Sequence, residues 1–105
     1  MTTFDEREHA FEKKFVVDEE LKFKATARCN RLLGMWAAER LGLRGEVAVS
    51  YAKDLVAAEV AAPGAEEVLQ KLSHDLADNG ISEELIRQKM GEFLLVAIQQ
   101  VQDGT

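Results

Sequence analysis

The 105-residue sequence is short of cysteine, proline, tryptophan and tyrosine, with one of each, and it has only two histidines. A single cysteine excludes an intrachain disulfide and suits a reducing compartment. His9 and His74 lie far apart, with no His or Cys at metal-ligand spacing beside either, so no zinc motif is formed. Basic residues are outnumbered: 13 Lys and Arg face 19 Asp and Glu, for a net charge of -6. That balance argues against a general nucleic-acid binder, which needs a basic surface to displace counterions. No segment approaches the roughly 20 apolar residues that span a bilayer. The N-terminus is acidic and lacks the apolar run of a secretory signal. The expected setting is the cytoplasm, with no membrane insertion.

Catalytic motifs are missing as well. Gly34, Gly42 and Gly45 lack the Lys-Ser/Thr ending of a phosphate-binding loop. Ser50, Ser73 and Ser82 have no nucleophile-elbow context. Carboxylates are plentiful, yet nothing in their spacing selects a catalytic pair. The residues therefore point away from an enzyme and imply no cofactor, metal or catalytic residue.

What is present is helix-forming sequence. Ala, Leu, Glu and Lys are common, and a chain of this length makes one domain. The chain is organised around Asp18–Leu43. Leu21, Ala25, Cys29, Leu32, Trp36 and Leu43 recur near helical intervals, and Phe23, Ala27, Leu33, Ala37 and Leu41 form a second line that widens the expected buried arc. Such a helix is expected to be a central strut, touched on more than one side. Gly34, Ala38 and Gly42 fall four apart. A glycine inside a helix costs about 1 kcal/mol relative to alanine, so Gly34 is read as a point of close approach by a neighbouring helix. Gly42 is read as the helix stop. Cys29 is read as a small core or boundary residue and not as a nucleophile.

Three more helices are expected. Arg44-Gly45 makes a turn, and Glu46 to about Ala61 follows with Ala48, Tyr51, Ala52, Leu55 and Val56 inward. Pro63-Gly64 breaks the chain. Glu66–Asn79 carries Val68, Leu69, Leu72 and Leu76 on one face, stopped by Asn79-Gly80. Ser82 caps the last helix, Ile81 and Ile86 have the spacing of a hydrophobic staple, and Leu85, Ile86, Met90, Phe93, Leu94, Ala97, Ile98 and Val101 make its apolar face. The fold class is all-α: an antiparallel four-helix bundle over 18–103, preceded by an amphipathic N-terminal segment, 1–17.

That leading segment differs in character. Thr3 and Glu6 have capping-box spacing. Phe4, Phe11 and Phe15 fall seven and four apart on one stripe, amid Arg7, Glu8, His9, Glu12, Lys13 and Lys14. Burying each Phe contributes about 1.5–3 kcal/mol, whereas ordering each residue costs roughly 1–2 kcal/mol. Three Phe side chains do not offset that over the whole segment. It either docks on its own body or orders on a partner, and the expectation is that it does not settle by itself.

Lys22, Lys24, Arg28, Arg31 and Arg40 give the central helix a basic side. Any one of them is expected to pair with Glu19, Glu20 or Glu39, and exposed pairs of that kind contribute little. As a cluster, Lys24, Arg28 and Arg31 form a candidate anion- or partner-binding patch.

Two stretches then read together: Phe4-Asp5-Glu6-Arg7-Glu8 with Ala10-Phe11-Glu12-Lys13-Lys14-Phe15, and Arg28–Leu43 with its RLLGMWAAERLGL core. They resemble the zeta subunit family of alphaproteobacterial F-type ATP synthases. The likeness continues through Tyr51-Ala52, Pro63-Gly64, Lys71-Leu72, Asp75-Leu76 and Lys89-Met90. The chain departs from the family pattern at Val16-Val17, at Cys29 and at Ala65. The resemblance implies a four-helix bundle carrying an N-terminal inhibitory segment that becomes helical inside the catalytic interface of F1, against its α, β and γ subunits, and blocks the ATP-hydrolysing rotation. It maps that contact onto Phe4, Asp5, Arg7, Phe11, Lys13, Lys14 and Phe15, and places the protein in the cytoplasm, peripheral to the inner membrane through F1. A rival reading is a small helical nucleotide- or ligand-binding protein with a pocket lined by Arg28, Arg31 and their neighbours. A third is a homodimer seamed by the Phe stripe.

Overall fold

The computed structural model describes Arg7, residues 9–12 and residues 18–104. All regular structure among these residues is helical. Arg7 and residues 9–12 have helical backbone. Four α-helices follow: α1 (Glu19–Arg40), α2 (Gly45–Ala61), α3 (Ala65–Leu76) and α4 (Glu83–Gln102), with a 3-10 turn (Ala77–Asn79) between the last two.

Each end of α1 is closed by a local device. The Asp18 carboxylate accepts the backbone N–H groups of Glu20 at 2.8 Å and Leu21 at 3.3 Å, and Glu19 and Glu20 oppose the helix dipole in the first turn. At the other end Gly42 takes φ 78°. The Gly42 N–H reaches the Glu39 carbonyl at 3.1 Å and the Leu43 N–H reaches the Ala38 carbonyl at 2.9 Å. This pair of bonds is a Schellman closure, which needs a left-handed residue at the position Gly42 fills.

Between its ends α1 packs chiefly against α2 and α4, while α3 joins α2 to α4 and touches α1 less. The helix is thus the strut that its apolar periodicity predicts. Its approach to α2 turns on Gly34: a Cβ placed there would lie 2.5 Å from the Cα of Ala52 and 2.8 Å from its Cβ. The glycine is therefore a packing contact, with Trp36 packed against the same core. Cys29, Leu33, Ala37, Leu55, Leu69, Leu72, Ile86, Leu94 and Ile98 are among the residues that fill the interior.

The other helices bury the faces their sequences mark out. α2 buries Ala48, Ala52 and Leu55 and half-buries Tyr51 and Val56. α3 buries Ala65, Val68, Leu69, Leu72 and Leu76. Tyr51 on α2 donates its hydroxyl to Asp75 on α3 at 2.7 Å, and Lys71 reaches the same carboxylate at 3.1 Å. Ser82 caps α4 by accepting the Leu85 N–H at 3.1 Å. Ile86 is buried and Ile81 packs on the core, as a staple requires.

Two expectations are corrected. Phe23 does not belong to the buried arc; it is 63% exposed. At about 100° per residue, two positions from buried Ala25 place it on the far side of α1. The third helix stops at Leu76 as an α-helix and tightens into the 3-10 turn, where the Asn79 side chain donates to the Arg40 carbonyl at 3.0 Å. Gly80 at φ 72° then ends it.

Candidate functional site

The most elaborate polar centre among the described residues lies where α2 ends. The tail of α2 reads VAAEVAA from Val56 to Ala62, with Glu59 the lone charge in it. The break at Pro63-Gly64 turns the chain back so that the Gly64 N–H donates to Glu59 Oε2 at 2.8 Å. From α1, the fully buried Asn30 donates its Nδ2 to Glu59 Oε1 at 3.0 Å. Both carboxylate oxygens are thereby fixed by the helical body itself.

The remaining face of the carboxylate is taken by Arg7. Its Nη1 donates to Oε2 and its Nη2 to Oε1, each at 3.1 Å, a two-pronged pairing of planar groups. The two side chains are only 12% and 13% exposed. Burial pushes the Glu59 carboxyl upward, but the donations from Arg7, Gly64 and Asn30 outweigh it and hold the group below its ordinary value.

One helical turn beyond Arg7, Phe11 lies on the same face of its segment. It is 2% exposed and belongs to the core cluster with Ala25, Cys29, Met90 and Leu94. The Lys22 ammonium stands 5.9 Å from its ring centre. Beneath the segment lies Cys29, whose Sγ contacts the Met90 carbonyl at 3.7 Å. A small cavity of about 50 Å³ there is lined by Arg7 and Ala10 from the segment, Cys29 from α1, and Met90 and Leu94 from α4. Burial drives the Cys29 thiol up to about 12, with Arg7 pulling it down and Glu59 pushing it up. A thiol so placed is protonated and shielded.

The structure brings Arg7 and Phe11 together on this one site. The expectation that the segment does not settle by itself is therefore corrected for these residues. The sum over Phe side chains could not include Glu59, a prepared acceptor more than fifty positions away. The other residues assigned to the partner contact, Phe4, Asp5, Lys13, Lys14 and Phe15, lie outside the described residues.

The basic patch divides. Lys24 pairs with Glu20 at 3.4 Å, Lys22 with Glu19 at 3.5 Å and Arg40 with Glu39 at 3.7 Å. Lys24 and Arg28 line an open depression of about 540 Å³ that includes Leu21, Ala27 and Val101; Arg31, exposed, is not among its lining residues. An open cleft of about 420 Å³ flanks the Arg7–Glu59 pair, with Phe23, Val60 and Pro63 on its walls. No cluster of His, Cys, Asp or Glu suited to a metal ion occurs among the described residues. No helix among them is long and apolar enough to cross a membrane.

Glu59, Asn30 and Gly64 escape a reading by motif. The signal that could have found Glu59 is its isolation, a single carboxylate in an apolar helix tail. Asn30 is signalled in the same way, as the one amide beside Cys29 and Leu33 on a buried stripe.

Helical structure throughout the described residues, with a polar centre that grips Arg7 and a core that takes in Phe11, defines a helical protein that holds these leading residues on its body. The family model for the ATPase inhibitor subunit zeta matches residues 1–100, and the chain belongs to that family. No curated protein matches it.

Proposed function

We propose that the protein inhibits ATP hydrolysis by F1-ATPase, with residues 1–17 entering the catalytic interface between α and β subunits beside the γ rotor. Residues 18–103 act as the handle, an antiparallel four-helix bundle held outside that interface. The observation that carries the reading is the match to the inhibitor family over residues 1–100, which takes in the whole leading segment. A narrow Phe stripe among charges also supports it, since an amphipathic helix of that kind seats its apolar side in a groove of a partner. The working place is the cytoplasm, at the inner membrane through F1. Chemistry stays with the ATPase; the protein contributes an obstacle and no catalytic group.

Titrating cognate F1 with the full chain and with a chain lacking residues 1–17 tests this. The full chain is expected to lower the hydrolysis rate, and the shortened chain, still helical by circular dichroism, is expected to leave it unchanged. Equal inhibition by both would overturn the mechanism.

A further inference from the structure

We infer that Glu59 is the keeper of an intramolecular latch: Arg7 and Phe11 are held on the helical body, and their docking there excludes their engagement by F1. The inference rests on the inhibitory reading above and adds its regulation. Phe11, at 2% exposure, has no free face to offer a second protein. The Arg7 guanidinium spends two of its nitrogens on Glu59. Neither residue can touch a partner until the segment leaves.

The geometry of Glu59 favours a latch over a plain turn closure. One oxygen would suffice to hold the Gly64 N–H. Here Asn30, buried in α1, fixes the second oxygen as well, so that both are aimed at the planar guanidinium. These two donors belong to the body. When Arg7 departs they remain, and the acceptor stays built for its return. A carboxylate left in that half-sheltered position without its cation is poorly compensated, which favours redocking. Among the described residues Asn30 Oδ1 has no hydrogen-bond partner, and the amide's Nδ2 is given to Glu59.

Cys29 reports the state of the latch, because the cavity beside its thiol is roofed by Arg7 and Ala10. Alkylation of a shielded thiol proceeds through the open population. In the full chain at about pH 8, Glu59→Gln and Arg7→Ala are each expected to speed alkylation of Cys29 by roughly ten- to a hundredfold, and the double variant is expected to react no faster than either single one. Amide hydrogen exchange at residues 9–12 is expected to quicken in the same variants, which keeps the test independent of the thiol. With F1, Glu59→Gln is expected to reach half-inhibition at a concentration lower than wild type by a similar factor.

Unchanged alkylation and exchange in Glu59→Gln, or rate gains that multiply in the double variant, would overturn the latch. Faster alkylation with unaltered inhibition would overturn the exclusion between the two dockings. A wild-type chain that leaves F1 uninhibited while Cys29 responds as expected would instead refute the inhibitory reading, and the exclusion with it, and leave the intramolecular clamp standing.

Discussion

Two glycines in helices, Gly34 and Gly91, make opposite demands on the chain. At Gly34 a methyl group would meet the backbone of Ala52, which cannot swing aside as a long side chain could. Gly34→Ala is expected to destabilise the protein by about 1–3 kcal/mol. At Gly91, within α4, an added Cβ meets none of the described residues within 4 Å. Gly91→Ala is expected to stabilise it by about 0.5–1 kcal/mol, since only the helical cost of glycine is removed. Midpoints of urea unfolding for the two variants check both signs. The pattern of small residues at 34, 38 and 42 suggested close approach, but α2 as the approaching partner and Ala52 as the point of contact depend on a packing that no local spacing encodes.

Carboxylates carry the second prediction at this scale. Donors around Glu59 and Asp75 hold both groups below their ordinary values of 4.5 and 3.8, although burial alone pushes each the other way. A carboxylate whose folded value is depressed contributes stability that is complete above its unfolded value and is lost as the pH falls through the folded one. The urea midpoint is therefore expected to drop as the pH is lowered past 4.5 and then 3.8. Glu59→Gln, less stable at neutral pH, is expected to show a shallower drop over the same range. Equal slopes would contradict the role given to Arg7, Asn30 and Gly64. Nothing in the sequence around Glu59 names these partners, because each arrives from a different part of the chain.

At the scale of elements, ends were more legible than middles. Gly42 reads as a stop and Ser82, with Glu83 and Glu84 after it, as a cap, and each closes its helix through local hydrogen bonds; Asp18, which the sequence reading does not mark as a cap, closes α1 in the same way. Removing the cap in Ser82→Ala is expected to cost about 1 kcal/mol of stability, read by thermal unfolding, with the first turn of α4 fraying. The faces of α3 and α4 could be read from periodicity alone, and Val68, Leu69, Leu72, Ile86, Leu94 and Ile98 are buried as their spacing requires. α1 was harder. Apolar residues occur around most of its circumference, so composition does not say which side faces water, and Phe23, expected inward, faces solvent. Its exposed ring now walls the cleft beside the Arg7–Glu59 pair. The leading segment was harder still. Its Phe stripe identified it as an interacting element, whereas its anchorage depends on a carboxylate supplied from the far end of α2.

At the scale of the whole molecule, a helical body holds Arg7 and Phe11 of the leading segment, and the proposed function gives that segment a second seat on F1. The body is organised around α1, closed against α2 through the gap left at Gly34 and packed on α4, where Cys29 Sγ meets the Met90 carbonyl. The segment's described residues sit on that body through one ion pair and one buried ring. On the proposed reading, Arg7 and Phe11 stay covered on the body until the segment leaves for F1. The most direct measurement places a photo-crosslinking phenylalanine analogue at position 11, in the full chain, and irradiates it with and without cognate F1 during hydrolysis. The account predicts adducts to the protein's own α1 or α4 when it is alone, and adducts to α, β or γ subunits when hydrolysis is inhibited. Adducts confined to its own helices while F1 is fully inhibited would contradict it.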